Sequence, residues 1–491
     1  MNVAASKTNA ILDESRSILV AGKASEASDC STIDVVAPGD GQVFARIASG
    51  GAVEVDAAVR AARAAFNGSW GKLTATERGR LLVRWSLAVE GDAEELARLE
   101  SRDTGKPLRQ ARADVVGLAR YLEYYGTAAD KLHGDTIPFL NTHLVAIMRV
   151  PFGVTAHIVP WNYPIQIFGR SVGASLAAGN ACVVKPAEDA SLSILRVARL
   201  AEQAGIPAGA LNIVTGYGRS AGAALAGHPD VDFVSFTGSP ATGTAIQTAA
   251  AQHHARVTLE LGGKSAQVIF ADADIDALAP VAVNAVIQNC GQTCSAGSRL
   301  LIQRDIFDKV VEAVADRFRV LRAGRPEDDL DVGPLISALQ HKRVNDYLDP
   351  ATSGRFDIVA EGSIDPGAPS GGHYIKPTLI APVAADHRLA QEEVFGPILV
   401  ATPFDDEQDA IAKANGTPFG LVAGVWSSDA KRAVRVARRM RAGQVFVNGY
   451  GAGGGIELPF GGFGRSGHGR EKGFEGLVEF TTTQTLVISH G

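Results

Sequence analysis

The spacing of apolar positions changes character three times along the chain. From 52 to 70, alanines and valines recur at helical spacing, and helix-like runs continue from Thr74 through Tyr125 with few breakers. This first portion is expected to be mainly helical, with Leu81, Leu82, Trp85 and Leu87 in its core. The character changes between 134 and 149. His143-Leu144-Val145-Ala146-Ile147-Met148-Arg149-Val150 reads as a strand, and Pro151 ends it.

Short apolar runs then alternate with helical ones. Strands are expected at 155–159, 181–185, 211–214, 233–236 and 257–260. Between them lie a turn at Pro160-Trp161-Asn162-Tyr163-Pro164 and a helix over 170–178. A second helix, capped by Asp189 or Ser191, stops at Gly205; a third spans 221–227; a fourth is entered through Thr237-Gly238-Ser239-Pro240. Repeated strand–helix alternation with apolar strands means an α/β chain with a doubly wound parallel sheet, whose ligands sit at the carboxyl ends of the strands. A second α/β series follows, with strands at 267–270, 299–302, 398–400 and 444–448 and helices at 276–289 and 307–321. The threonine-rich tail, 478–488, is strand-like again. It and 143–150 fall outside both series, so they are expected to pair, project from the body and offer an edge to a partner subunit. No internal repeat is evident.

Composition fits this picture. At 491 residues, 46% hydrophobic and 20% charged, the chain reads as ordinary globular protein of about two to four domains. The 54 glycines suit the many tight connections of a nucleotide-binding α/β enzyme. A net charge of −6 supplies no basic field for nucleic acid or an anionic membrane. No apolar run is long enough to span a bilayer. The segment 1–28 lacks a basic stretch followed by an apolar one, so it reads as a polar, partly mobile arm rather than a secretory signal. Cys30, Cys182, Cys290 and Cys294 form no disulfide framework, which suggests a cytoplasmic protein. No His or Cys lies near the last pair to complete a site, so no metal is expected.

Candidate chemistry centres on Gly291-Gln292-Thr293-Cys294-Ser295-Ala296-Gly297. The cysteine sits between small residues at a glycine-framed turn, open enough for a planar carbonyl to reach its sulfur. Glu260 ends an apolar strand and precedes Gly262-Gly263, which would confine its carboxylate and raise its pKa. Gly238 and Gly243 flank a helix entry after a buried strand, where Ser239 and free N–H groups could hold a pyrophosphate.

Glu260-Leu261-Gly262-Gly263-Lys264-Ser265, followed by Cys294 in Gly-Gln-Thr-Cys-Ser, resembles the aldehyde dehydrogenase superfamily. So do Pro160-Trp161-Asn162-Tyr163-Pro164, Phe236-Thr237-Gly238-Ser239, Glu392-Glu393-Val394-Phe395-Gly396-Pro397 and Pro459-Phe460-Gly461-Gly462, all in the family's order. The resemblance implies three parts: an NAD-binding domain over 1–128 and 152–262, a catalytic domain over 263–477, and a β-rich oligomerisation domain over 129–151 and 478–491. It implies oxidation of an aldehyde with NAD, in a homodimer or homotetramer.

By the same resemblance Cys294 is the nucleophile, and Asn162 with the Cys294 N–H serves the oxyanion. Glu260 is the base that cleaves the thioester, and Glu471 relays protons. Ile158, Pro160, Trp161, Lys185, Glu188, Gly218, Phe236, Gly238, Ser239, Leu261, Glu393 and Phe395 are implied to line the cofactor site. A carboxylate at 188 favours NAD over NADP because it would repel a 2′-phosphate. Tyr163, Arg170, Thr293 and Ser295 fall where the family builds its substrate tunnel, beside the loop 449–458 with its glycines at 451 and 453–455. An arginine like Arg170 holds a substrate carboxylate in some relatives, whereas others with one take aromatic aldehydes; Gln288 stands where the first group often has a second arginine. Lys264 and Arg299 are expected to be structural. Two alternatives stay open: a coenzyme A-acylating relative, which generally lacks the glutamate at 260, and a non-catalytic protein of this fold.

Overall fold

The computed structural model describes residues 17–451 and 455–491. The short apolar runs become strands, several of them buried at every position because helices cover both faces of their sheet. The amino-terminal strands are β1 (Ile18–Val20), β2 (Lys23–Ser25), β3 (Thr32–Val36) and β4 (Val43–Ala48). Then come β5 (Asp135–Ile137), β6 (His143–Pro151), β7 (Val154–Val159), β8 (Ala181–Pro186), β9 (Leu211–Ile213), β10 (Phe233–Thr237) and β11 (Arg256–Glu260). The second series holds β12 (Ala266–Ile269), β13 (Arg299–Gln303), β14 (Arg322–Ala323), β15 (Ile358–Glu361), β16 (Ser363–Ile364), β17 (Thr378–Ile380) and β18 (Ile398–Phe404). It continues through β19 (Val422–Trp426), β20 (Gln444–Val447) and β21 (Gly467–His468), and β22 (Thr481–Ser489) closes the chain.

The first large sheet runs β2-β1-β9-β8-β7-β10-β11-β21, parallel from β9 through β11. Chain order proceeds one way from β7 through β8 to β9 and the other way from β10 to β11. The reversal falls between β7 and β10, where their carboxyl ends open a crevice. The second large sheet runs β15-β17-β18-β13-β12-β19-β20 and reverses at β12; only β15 is antiparallel. The two-stranded pairs are β3 with β4 and β14 with β16. The tail pairs with the 143–150 strand as expected: β22 lies antiparallel on β6 from Thr481↔Pro151 to Ser489↔His143, with β5 on the far side. The carboxyl-terminal return is woven into the first body, since β21 pairs with β11 and Ile456, Leu477 and Phe480 join its core.

Several local expectations are corrected. Leu81, Leu82 and Trp85 are buried, but Leu87 is 61% exposed. At 3.6 residues per turn it points about 200° away from Trp85 on the helix Ala75–Gly91. Ser191 takes the N-cap position of the helix Leu192–Gln203, but its side chain makes no capping bond; the Leu192 N–H donates to Asp103 Oδ2 at 2.9 Å, and the Ser191 hydroxyl turns back to Ala187 O. The helix expected over 170–178 begins at Pro164, because a proline fits a first helical turn. Residues 478 and 479 end the helix Gly473–Glu479 rather than opening the last strand. Of the 1–28 arm, residues 1–16 lie outside the described residues, while 18–20 and 23–25 form the last two strands at one end of the first sheet.

Candidate active site

The cysteine turn is built by a reversal of backbone handedness. The helix Ile275–Ile287 stops, and Asn289, Cys290 and Gly291 adopt left-handed φ values of 48°, 55° and 73°. A Cβ at 291 would stand 2.1 Å from Gly396 O, so the close approach requires glycine. Gln292 pins the turn on both sides: its Nε2 donates to Asn289 O at 2.9 Å, and Ile336 N donates to its Oε1 at 2.9 Å. Cys294 is partly buried against Leu421, Val422 and Phe460. Burial pushes its thiol up to about 11; Arg170 and Lys472 oppose that rise, while Glu393 and Glu260 add to it.

Two hydrogen bonds staple the turn after β7 to this loop. Asn162 Nδ2 donates to Gln292 O at 3.0 Å, and the Tyr163 and Thr293 hydroxyls meet at 2.9 Å. An amide has two N–H donors, so one remains on Asn162 beside the sulfur's loop. Ser295 lends its carbonyl to the Tyr450 hydroxyl at 2.7 Å.

Glu260 closes β11 and is 1% exposed, and neither carboxylate oxygen finds a hydrogen-bond partner among the described residues. Burial raises its pKa well above the usual range, and the charge of Glu471 adds to the rise; Arg170, Arg470 and Lys472 pull it back. Segment 260–263 packs on the cysteine loop so closely that a Cβ at Gly263 would lie 2.3 Å from Cys294 O. Glu471 accepts from Ser235 Oγ at 3.1 Å and forms a buried ion pair with Arg170. The Arg170 charge is therefore already matched within the chain. Lys472, which the sequence reading missed, completes the group: its backbone is left-handed at φ 60°, and burial pushes its ammonium down to about 8. The Arg170 guanidinium and the Lys472 ammonium lie 5.4 Å and 5.1 Å from the ring of Phe460. The only signal for Lys472 was its place beside Glu471. In the glycine-rich loop, Gly451 is exposed and nothing among the described residues lies within 4 Å of where its Cβ would go; residues 452–454 lie outside the described residues.

A second cluster lies at the crevice between β7 and β10. Ile158, Pro160 and Trp161 end β7 and follow it, and Trp161 meets Phe395 edge-on at 5.4 Å. At the end of β8, Lys185 Nζ pairs with Glu188 at 2.6 Å, and Gly218 N donates to the other Glu188 oxygen at 3.2 Å. After β10, a Cβ on Gly238 would sit 2.5 Å from the Phe236 ring, so the strand can turn sharply into the helix Pro240–Ala251. Ser239 caps that helix through its Oγ, which accepts from Thr242 N at 3.2 Å. Leu261 packs under Gly243. Glu393 accepts from Gly263 N at 2.9 Å, and burial pushes its carboxyl up to about 7. A carboxylate for ribose hydroxyls, a helix amino terminus and aromatic walls at the switch point fit a dinucleotide. Arg299 holds the carbonyls of Lys264, Lys413 and Ala414, the structural part expected of it. Among the described residues no cluster could hold a metal ion, and no helix is long and apolar enough to cross a membrane.

Comparison with known proteins places this geometry. Residues 25–486 match the model of the Aldehyde dehydrogenase family. The chain belongs to the aldehyde dehydrogenase family. A hydroxyisobutyraldehyde dehydrogenase of Mycolicibacterium austroafricanum is 41% identical, over 94% of this chain and 91% of that protein. A provisionally assigned aldehyde dehydrogenase of Burkholderia cenocepacia is 60% identical, with a TM-score of 0.96 over 97% of this chain and 100% of its own. PnpE of Pseudomonas sp. WBC-3, solved with nicotinamide adenine dinucleotide, is 41% identical, with a TM-score of 0.94 over 97% and 98% of the two chains. The protein is thus an NAD-dependent aldehyde dehydrogenase, with the α/β architecture of that family.

Proposed function

We propose that Cys294 is the nucleophile, Asn162 the side-chain oxyanion donor and Glu260 the general base of this dehydrogenase. The Cys294 sulfur adds to the aldehyde carbon and passes its proton toward Glu260, giving a tetrahedral thiohemiacetal. The free N–H of the Asn162 amide and the Cys294 backbone N–H donate to the oxyanion; losing one such donor typically costs about 2.7–4 kcal/mol. NAD, when bound along Ile158, Trp161, Lys185, Glu188, Gly218, Phe236, Gly238, Ser239, Leu261, Glu393 and Phe395, supplies the hydride acceptor. What remains on Cys294 is a thioester. Once Glu260 has handed the thiol proton on toward Glu471 it takes a proton from water; the hydroxide adds to the acyl carbon, the thiolate leaves and regains a proton, and a carboxylic acid is released. Glu471, paired with Arg170, shares the low-dielectric space with Glu260, and protons pass between the two carboxylates.

The observation that carries this reading is the buried Glu260 carboxylate, without a hydrogen-bond partner among the described residues, in the electrostatic field of a cleft thiol. Such a base favours water over coenzyme A as the acyl acceptor, so the acylating alternative is disfavoured. The test is rapid-mixing kinetics of Glu260→Gln. The expected result is a burst of about one NADH per site, followed by a steady rate lower by about 10²–10⁴-fold. A steady rate unchanged from the parent sinks the assignment of the base, and a steady rate restored by coenzyme A revives the acylating alternative.

Tyr163, Thr293 and Ser295 are proposed to wall the substrate entry. Arg170 is proposed to hold Glu471 rather than a substrate carboxylate, because its charge is already matched. The three-part division set out above is the proposed domain organisation. The sheet β22-β6-β5 is the proposed association surface of a homodimer or homotetramer, on the strength of its exposed apolar strand residues. A cytoplasmic location is proposed from the free cysteines.

A further inference from the structure

Lys106 is a fully buried ammonium next to the reaction site and takes no part in the chemistry above. It sits between Gly105, the left-handed end of the helix Ala93–Thr104, and Pro107, which opens the helix Leu108–Ala128. Its three N–H donors are all committed. One goes to Glu100 Oε1 at 3.2 Å, one to Asp114 Oδ2, and the third to the backbone carbonyl of Asn162 at 3.0 Å. Burial works against the Lys106 charge, but Asp114 and Glu100 outweigh it and hold the group protonated. The anions are themselves fixed: Ser193 Oγ donates to Glu100 Oε2 at 2.6 Å, and Gln166 Nε2 to Asp114 Oδ1 at 2.6 Å. The ammonium also lies 4.5 Å from the centre of the Tyr163 ring.

A buried ion cluster of this kind contributes little net stability over apolar packing. Its geometry has a different use. The Asn162 carbonyl has two lone pairs, and both are taken: Lys106 Nζ holds one, and Asn289 Nδ2, on the left-handed residue before the cysteine loop, donates to the other at 2.8 Å. That fixes the peptide plane between 162 and 163. The Asn162 side chain is fixed in turn by its bond to Gln292 O. With plane and amide both set, the second amide N–H has one direction left. We propose that Lys106, anchored by Glu100 and Asp114, is a positioning residue that aims the Asn162 amide at the oxyanion, with Asn289 holding the same carbonyl from the nucleophile's side. The proposal rests on Asn162 being the oxyanion donor.

The test is a double-mutant cycle read by the pre-steady-state rate of NADH formation in the full-length, NAD-loaded enzyme. Asn162→Ala is expected to slow that rate by about 10²–10³-fold. Lys106→Met is expected to slow it by about 10-fold or more in the parent but by less than about threefold in the Asn162→Ala background, because a positioning residue loses its effect once its target is gone. The rate at which iodoacetamide alkylates Cys294 is expected to stay within about twofold of the parent in Lys106→Met, since alkylation develops no oxyanion. A merely structural role moves both rates together. Asn289→Gly removes the second donor yet suits the left-handed backbone, so it repeats the cycle if Lys106→Met does not fold. Effects that multiply with Asn162→Ala in the cycle that is run overturn the inference and leave Asn162 as the donor. An unchanged rate in Asn162→Ala alone overturns the donor assignment and the inference with it.

Discussion

At the scale of single residues, the site works through opposed fields. Cys294 lies in a volume dry enough to push its thiol up to about 11, and the cations that restrain this rise are Arg170 and Lys472. Arg170 stays charged at every accessible pH, whereas Lys472 loses its proton near pH 8. The sign follows directly. Below about pH 8 the Lys472 ammonium favours the thiolate, so Lys472→Met is expected to slow iodoacetamide alkylation of Cys294 at pH 7 by a few-fold, up to about tenfold. Above about pH 9 both forms of residue 472 are neutral, and the difference is expected to vanish. A constant ratio of rates from pH 6 to 10 contradicts that account. Glu260 behaves in the opposite sense. Burial raises its pKa and keeps it protonated at low pH, so thioester hydrolysis is expected to accelerate as pH rises and the carboxyl ionises. Glu260→Gln is expected to lose that limb of the single-turnover profile while the parent keeps it. Cys294→Ala is expected to abolish turnover while NAD still binds, as checked by fluorescence titration.

At the scale of elements, the strands were legible and the connections between them less so. Every strand of the first sheet from β7 to β11 announced itself as a short apolar run between turn residues, because a strand buried on both faces admits little else. Glu260 stood out as a candidate because it ends such a run before two glycines, Asn162 because its turn follows one, and Cys294 because glycines frame its turn; the roles proposed for them came from the family resemblance. The capping bond of the helix Leu192–Gln203 was not legible, since its acceptor, Asp103, comes from a different helix. Lys106 and Asn289 escaped for the same reason: their meaning lies in one carbonyl, remote in sequence from both. Three consecutive left-handed residues, 289–291, fix where the cysteine loop emerges, and only the last is glycine. Gly291→Ala is therefore expected to be severe. The left-handed backbone alone costs about 1–3 kcal/mol with a side chain, and the clash with Gly396 O adds to it. Loss of activity and a lower melting temperature are the expected readouts. Gly451→Ala is the control: its φ is also positive at 71°, but nothing among the described residues lies within 4 Å of the added Cβ, so the strain is the expected cost. Equal losses at the two positions contradict the argument from close packing.

At the scale of the molecule, one chain carries every group of the proposed chemistry. Asn162, Glu260, Cys294 and Glu471 meet on elements of the two large sheets, and the sheet β22-β6-β5 contributes none of them. That third sheet instead exposes Leu144, Leu486, Val487 and Ile488. Leu144 faces Ile488 across the strand pair, with Leu486 two residues along on the same side, so the three form an apolar stripe. Strand β22 also stands at the edge of its sheet with nine residues of backbone. Either the stripe or the edge can seat a second copy, and the two predict different sensitivities. Leu486→Lys with Ile488→Lys places charge on the face and leaves the backbone edge whole, whereas Gln484→Pro interrupts the ladder and leaves the stripe. If association buries the face, the lysine pair is expected to shift the sedimentation coefficient to that of a smaller species while Gln484→Pro does so weakly; edge pairing reverses that order. In either case the smaller species keeps the whole catalytic set, so its single-turnover rate is expected to match the parent even where its melting temperature falls. A dissociated form that sediments as a monomer yet has lost the NADH burst shows that the active site depends on the neighbouring copy.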